Sequence, residues 1–521
     1  MSEETFWWFT DEQKELQRKI TQFVDENMEE AERYALKSEI PWPLIKKVGT
    51  EGYFGAAVPK KYGGLELGAT GCAIVAEQIS RLAAVGTLYL ASTLGGTHQL
   101  LKYGTDEQKQ EWLSRIAKGN ELGAITITEP FVGSDAAGVM TTAVKDGDEW
   151  IVNGKKRFIT GGGIASRYFT YVKTSEDPAD RKNYSHITAL IIEKGTPGFS
   201  LERVNPLIAY DNVPNSYINF NDVRVPDENR IGAVGKGWNV MMAGLNFERL
   251  MGAVNNIGNV RDIIPLLFHY TKRRVQFNQT TSRIPGIQNE IANIVAKYRM
   301  ARVYVYNIAK QIDDGEEPAL DASSAKWIIS ENVRDAAFRA IQVMGGDGLT
   351  KFFPIERIAR AAKISEIAAG TSEVQKMIIY RFASKLGLYN RPVRLRWDDE
   401  LNFPIKSTKE SRFKGLEVTE ENILKVIAHD YKVNPGLYMT PDDVREDIGG
   451  DRDLILDVFN KLKEQNLIVT HSDRTGKIAL VKATYKGLKE AYPDSYYQWF
   501  PKWYPDAVSY THLTLPTTPY V

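Results

Sequence analysis

Two neighbouring runs decide the fold: AITITEPFVGSDAAG, residues 124–138, and DGDEWIVNGKKRFITGGGIA, residues 146–165. The first is dense in hydroxyl-bearing and small residues. The second reads as a hairpin, with Asn153-Gly154 between EWIV and KKRFIT supplying the two positive-φ positions that a two-residue turn needs. A β-layer carrying a polar, backbone-rich loop is therefore expected. In that loop Ser134 follows Gly133 and precedes Asp135, so the backbone can approach an anionic group while a hydroxyl points at it. Thr126, Thr128 and Thr160 add hydroxyls at strand ends, beside the aromatic Phe158. The set forms a candidate site for a large, flat, polar-edged cofactor.

Outward from there, the period of two continues from Gly123 to about Val234. HITALIIEK, GFSLERV and NSYINFNDVRV read as strands bounded by Pro197-Gly198, Pro214-Asn215 and Pro226-Asp227. Strands in such number without intervening helices predict an antiparallel sheet or barrel. No GxGxxG follows a strand, so nicotinamide binding of the Rossmann kind has no support. On the N-terminal side, Thr10 to about Leu122 reads as helical, opening on a capping box of Thr10 and Gln13 with Leu16, Ile20 and Phe23 at helical spacing. On the C-terminal side, helices are expected over 238–273, 287–312, 320–344 and 360–385, joined by short connections as in an antiparallel bundle. In the first of these, Met241, Leu245, Glu248 and Gly252 share one stripe. A carboxylate on an apolar stripe is desolvated, which raises its pKa toward the range of a general base near neutral pH.

Composition narrows the classes. At 521 residues the chain is long enough for about three to four domains. Lys+Arg and Asp+Glu balance at 66 each, so no polyionic partner is implied. The single Cys72 fits a reducing compartment, and the six histidines have no metal-ligand spacing, so no metal is expected. MSEETFWWFTDEQKEL lacks the basic and apolar regions of a signal peptide, and no apolar run reaches membrane-spanning length. A cytoplasmic protein that does not enter a membrane is the expectation.

The string TEPxxGSD followed by NGxKxxIT resembles the central β-domain of the acyl-CoA dehydrogenases, and the resemblance runs from about Phe6 to about Leu388. It implies FAD as cofactor, an acyl-CoA substrate, electron-transferring flavoprotein as partner and a homodimer or homotetramer. GLNFERLMGA resembles the helix of the isovaleryl-CoA and long-chain acyl-CoA dehydrogenases in which the Glu, here Glu248, is the catalytic base. Most members instead carry the base just before the Gly-Thr of a late loop. That loop is ISEIAAGTSEVQ here, and the position holds Ala369, which cannot take a proton. By the same register, the Ala369 N–H belongs to the oxyanion hole, with Gly370 beside the substrate. Asn246, Arg249 and Ser134 fall near the thioester and CoA. Thr126, Thr128, Ser134, Phe158, Thr160, Arg274, Phe277, Gln342, Gly345, Gly346, Thr371 and Glu373 match cofactor-contacting positions, some of them across a subunit interface. Phe158 replaces the usual Trp, and Asn278 replaces the usual Gly of its turn.

After Leu388 the resemblance stops. Residues 389–416 are Pro- and charge-rich and read as a linker. Residues 417–492 read as three helices and a β-wing, a winged-helix-like module. Its third helix begins DRDLILD, and nucleic acid is disfavoured because DNA affinity rests on basic side chains. Residues 493–521 are a tail whose last stretch, SYTHLTLPTTPYV, resembles translated adapter sequence and is excluded from fold reasoning. The expected fold is multidomain α+β: an N-terminal α-helical domain (1–122), a central antiparallel β-domain (123–235), a C-terminal four-helix bundle (236–388) and the small winged-helix-like domain. The expected activity is FAD-dependent α,β-dehydrogenation of an acyl-CoA. Two alternatives stay open: an oxygen-reacting oxidase or monooxygenase on the same fold, and a non-catalytic binding protein that works through the winged helix.

Overall fold

A computed structural model describes residues 5–119, 121–387, 394–398, 400–401 and 403–494, divided into two compact units at Leu386/Gly387. The first unit opens with α1 (Asp11–Lys37), α2 (Trp42–Thr50), α3 (Gly68–Ile79), α4 (Ala84–Leu94), α5 (Thr97–Tyr103), α6 (Asp106–Gln108) and α7 (Ser114–Lys118). The Thr10–Gln13 capping box that opens α1 is present, each side chain bonded to the other residue's backbone N–H. This supplies partners for two N–H groups that a helix start leaves unpaired.

The sheet follows as β1 (Gly123–Thr126), β2 (Thr142–Asp146), β3 (Glu149–Thr160), β4 (Arg167–Lys173), the short α8 (Pro178–Lys182), β5 (Ile187–Glu193), β6 (Phe199–Val204), β7 (Asn215–Pro226) and β8 (Arg230–Ile231). Its order is β6-β7-β3-β2-β4-β5-β8, with β1 alongside β4. The sheet is mixed rather than antiparallel throughout, since β1 and β4 run parallel from Gly123↔Arg167 to Thr126↔Thr170. A second correction concerns the hairpin. Asn153-Gly154 lies inside β3, where the register with β7 shifts between Val152 and Gly154. The two-residue turn is Gly147-Asp148, between the paired Asp146 and Glu149, with Gly147 at φ 58°. A Cβ on Gly154 would sit 2.6 Å from Thr141 Oγ1, so the glycine serves close strand approach at a bulge rather than a turn.

The helical part returns as α9 (Gly237–Met242), α10 (Leu245–Arg261) and α11 (Ile263–Arg273). The single long helix expected over 238–273 is thus broken at Ala243–Gly244 and at Asp262, so Met241 and Glu248 do not share a helix. After the hairpin β9 (Val275–Gln276) and β10 (Gln279–Thr280) come α12 (Pro285–Asp313), α13 (Ala319–Met344), α14 (Ile355–Ile367) and α15 (Ser372–Ala383). The last expected helix is also two, parted at Ala368–Thr371. α13 packs against α10, α12, α14 and α15, and α3 enters the same bundle against α10 and α12. The N-terminal and C-terminal helices therefore share one apolar core, in which Ile74, Val75, Leu250, Val254, Ile294 and Ala337 are all buried.

Polar groups pin that core. Glu77 of α3 accepts from Arg302 Nε (2.7 Å) and Tyr306 OH (2.6 Å) of α12, with both charged side chains at 3 % exposure or less. Removing one partner of such a pair strands the other charge in a dry interior.

The second unit contains a hairpin, β11 (Arg394–Asp398) with β12 (Phe403–Ser407), inside the stretch expected to be a linker. It continues with α16 (Glu420–Val433), α17 (Pro441–Ile448), α18 (Arg452–Glu464), the antiparallel pair β13 (Ile468–Ser472) and β14 (Ile478–Ala483), and α19 (Tyr485–Ala491). Its own core includes Ile423, Ile427, Ile455, Phe459 and Val481. The terminal SYTHLTLPTTPYV lies outside the described residues. Glu77→Ala is expected to cost about 3–5 kcal/mol in urea unfolding of the first unit, because it removes the buried carboxylate that accepts from Arg302 and Tyr306. A loss below about 1 kcal/mol, the range of an exposed pair, would contradict this reading.

Candidate active site

Glu248 stands in the first turn of α10, where its backbone N–H bonds to Gly244 O (2.8 Å). The chain break before α10 drives this placement: α9 ends at Met242, and Gly244 caps the new helix at φ −105°, an ordinary value for any residue. Gly244 is required by space instead. A Cβ there would lie 3.1 Å from His98 Cβ, 3.3 Å from Glu248 Oε1 and 3.5 Å from Gln99 Nε2. α5 thus packs onto the start of α10, and Gln99 Nε2 donates to Glu248 Oε1 at 2.9 Å.

The electrostatics follow from burial. Desolvation pushes the Glu248 carboxyl up to about 7, against the Gln99 hydrogen bond and the Arg249 charge, which both favour the anion. Burial lowers Arg249 to about 10, still cationic at neutral pH, and lowers His98 to about 4, so that the imidazole stays neutral against the Phe247 ring (4.1 Å between centroids). Burial, and then the charge of Glu248, push the Tyr171 hydroxyl of β4 upward, so it is a neutral phenol. A half-protonated carboxyl near neutral pH, ringed by neutral groups and one cation, is suited to accept a proton.

The late loop lies on the same side of the bundle. Ala369 and Gly370 are both left-handed, at φ 54° and 89°, and part α14 from α15. Lys326 Nζ of α13 donates to Gly370 O (2.6 Å) and Glu366 O (3.3 Å), while Gln375 Nε2 donates to Gly370 O (3.1 Å). Burial brings Lys326 down to about 8, Glu366 and Glu373 oppose this, and the nearby Arg249 charge adds to it. Lys326 therefore ties the loop to α13. Thr371 caps α15 by accepting from Val374 N (3.3 Å), and Glu373 is exposed in its first turn. Asn246 donates to Glu317 (2.9 Å) and accepts from Arg249 (3.2 Å), so it steadies the arginine from the rim.

The Gly-Ser-Asp loop is closed at its base by a pair that the sequence reading missed. Lys156 Nζ donates to Glu129 Oε1 (2.8 Å) and to Tyr171 O (2.6 Å), and Glu129 also accepts from the Met140 and Thr141 N–H groups (2.7 and 3.0 Å). Ser134 and Phe158 are exposed, and Gly133 faces open space. Phe158 takes φ 58° at a second register shift of β3, which turns its ring out of the sheet beneath Arg157. A bulky residue held there is strained, a feature that clusters at functional sites. Thr128, half-buried, accepts from Arg157 N through its carbonyl (2.7 Å), and the half-buried Thr160 ends β3 opposite Asn215. Thr126 differs from expectation, since its fully buried hydroxyl bonds to Thr170 Oγ1 (2.8 Å) and Phe169 O (3.1 Å) and leaves only the backbone for a ligand.

Arg274, Phe277, Gln342, Gly345 and Gly346 are exposed and apart from the Glu248 cluster. They gather at the junction of α11 and α13, where Tyr270 OH donates to Met344 O and Asp347 Oδ2. Phe277 and Asn278 form the β9–β10 turn at φ 51° and 57°, so Asn278 keeps the turn that Gly would make. Among the described residues, buried polar atoms without a partner flank the late loop: Ser372 Oγ, Gln375 Oε1 and Trp327 Nε1. With the outward Phe158 ring, this chemistry fits a flat cofactor with polar edges.

Models of the acyl-CoA dehydrogenase family match the chain in succession: the N-terminal domain over residues 10–120, the middle domain over 124–223 and the C-terminal domain over 235–384. The chain therefore belongs to the acyl-CoA dehydrogenase family. It is 34 % identical over 375 residues to an acyl-CoA dehydrogenase of Bacillus subtilis, covering 72 % of this chain and 98 % of that protein. A mitochondrial isovaleryl-CoA dehydrogenase of Solanum tuberosum is likewise 34 % identical, over 72 % of this chain and 90 % of its own. The butyryl-CoA dehydrogenase structure from Megasphaera elsdenii superposes with a TM-score of 0.69 at 29 % identity, over 73 % of this chain and 99 % of that one. The protein is an FAD-dependent oxidoreductase acting on CH–CH groups.

Because burial raises the Glu248 carboxyl, folding favours its neutral form. That contribution is complete below the unfolded value of 4.5 and is lost as pH rises through about 7. Glu248→Gln, neutral at every pH, is expected to gain about 2 kcal/mol relative to the parent between pH 5 and pH 8 in urea titrations. An equal difference at the two pH values would mean that the carboxyl is not desolvated.

Proposed function

We propose that Glu248 is the base of an α,β-dehydrogenation that turns an acyl-CoA thioester into its trans-2-enoyl form. The observation that carries this reading is the half-buried Glu248 carboxyl at the start of α10, bonded to Gln99 beside Arg249 and raised by desolvation, while Ala369 occupies the other position at which the family holds a base. FAD, when bound, supplies the two-electron acceptor for the β-hydride. Glu248 takes the α-proton. The Ala369 N–H, fixed by the left-handed Ala369-Gly370 pair and by the hold of Lys326 on Gly370 O, faces the thioester oxygen and stabilises the charge that grows there. Arg249 and Asn246 orient the CoA side, and Ser134 with Gly370 completes the substrate contacts. Phe158, Thr128, Thr160, Ser134, Thr371 and Glu373 hold the cofactor from this subunit, together with the backbone at Thr126. Arg274, Phe277, Gln342, Gly345 and Gly346 reach the cofactor of a neighbouring copy in a homodimer or homotetramer, in line with their exposure away from the Glu248 cluster. Electron-transferring flavoprotein is the proposed acceptor, and the cytoplasm the proposed compartment.

Anaerobic mixing with acyl-CoA thioesters is expected to bleach the flavin, and Glu248→Gln to slow the bleaching by about 10²–10⁴, the contribution of a general base. Bleaching that survives the substitution would overturn the base. No bleaching with any thioester, or rapid reoxidation by oxygen alone, would move the protein to another reaction on this fold.

The second unit is proposed as a winged-helix-like module that contacts protein. The order of three helices and a hairpin supports the form, and Asp451 and Asp453 at the start of α18 disfavour DNA. A chain ending at Leu386 is expected to bleach at the parent rate. Retarded migration of specific DNA with the full chain at physiological salt would refute the protein-contact reading.

A further inference from the structure

Gln99 is fully buried, yet only half of its amide is used: Nε2 donates to Glu248 Oε1, and Oε1 has no partner among the described residues. The amide therefore holds one donor on Glu248 and one acceptor in reserve, and either can face Glu248 as its protonation changes. Such a change follows from the proposed reaction. A carboxylate can only accept hydrogen bonds, whereas a carboxylic acid carries one O–H donor. Turning the Gln99 amide over brings its oxygen to the place of its nitrogen, within hydrogen-bond distance of Glu248.

Resting on the reading of Glu248 as base, we propose that Gln99 is a positioning residue with two settings: its N–H holds the Glu248 carboxylate before proton transfer, and its carbonyl accepts from the carboxylic acid afterwards. The step balances within the site. The substrate Cα–H bond breaks, its proton passes to a Glu248 oxygen, and the electron pair stays with the substrate until hydride leaves Cβ. The amide itself gains and loses nothing. Neighbours do not compete for this role. His98 on α5 packs against Phe247 with the rings tilted, Tyr171 on β4 is a neutral phenol, and Arg249 on α10 is bonded to Asn246, while Lys326 on α13 is committed to Gly370 and Glu366. Gly244 keeps the space between Gln99 and Glu248 clear.

The test compares Gln99→Met, similar in volume and without either polar group, with the parent, each with and without Glu248→Gln. The first readout needs no substrate: the part of stability that Glu248 removes between pH 5 and 8, from urea titrations. Gln99→Met removes a bond from each form, and because the bond to the charged form is the stronger, the midpoint is expected to move up by about one pH unit, whereas a rise of about two units would mean that only the N–H setting exists and overturn the second setting. The second readout is exchange of the α-proton of butyryl-CoA or isovaleryl-CoA in deuterium oxide with the FAD-loaded enzyme. Its acid limb is expected to move by the same amount, with about a tenfold loss at neutral pH. Gln99→Glu, which keeps an acceptor and adds a like charge, is expected to move the limb further up. An unmoved midpoint in Gln99→Met overturns the proposal, as does a rate lost equally at every pH. Exchange that persists in Glu248→Gln overturns the base instead. If neither thioester exchanges in the parent, the stability midpoint decides.

Discussion

Desolvation of one half-buried carboxyl at the first turn of α10 sets what the surrounding elements must supply. At a helix N-terminus the backbone dipole favours the anion, by about 0.3–1 kcal/mol. The move of Glu248 from 4.5 to about 7 corresponds to roughly 3 kcal/mol in the other direction, so desolvation wins. That outcome needs a dry lid. α5 provides it with His98 and Gln99, β4 with Tyr171, and Gly244 permits the approach by having no side chain. The same break in the chain that starts α10 also creates the cradle.

A second constraint is the pair of left-handed residues between α14 and α15. Ala369 takes φ 54° although Gly would take it without strain. The loop keeps this shape because Lys326 and Gln375 both bond to Gly370 O, and because a Cβ on Gly370 would press to 2.7 Å of Gln375 Nε2. The loop is thereby tied to α13, the helix that also packs on α10. α10, which carries Glu248, and the Ala369–Gly370 turn are both held by one helix, so their placement depends on the bundle core that Glu77 and Arg302 anchor between α3 and α12.

How much of this was legible in the residues varies by kind. Period and caps are local, so the sheet segments, the Thr10–Gln13 box and most helices could be read directly. Asn153-Gly154 misled because the dipeptide serves a turn and a bulge equally well; only the pairing of β3 with β7 distinguishes them. The run 238–273 misled because helical period continues across Gly244 and Asp262 while the axis breaks there. Glu248 was legible by its motif, and through a stripe that the break at Gly244 interrupts. Gln99, Tyr171, Lys326 and the Glu129–Lys156 pair were not, because each meets the site from a distant segment and no local pattern marks it.

The sequence by itself determined the period of each segment, the helix caps, the single cysteine, and the exchange of Ala369 for an acid with a Glu at 248. Those are properties of neighbours along the chain. Tertiary structure alone decided the protonation of that Glu and the partner of its oxygen. It also decided which of the carried-over residues lie in the Glu248 turn and which lie exposed at the α11–α13 junction. The physical reason is that desolvation and hydrogen bonding depend on what surrounds a side chain in space, and pairs such as Gln99 with Glu248 and Lys326 with Gly370 meet only when the fold closes.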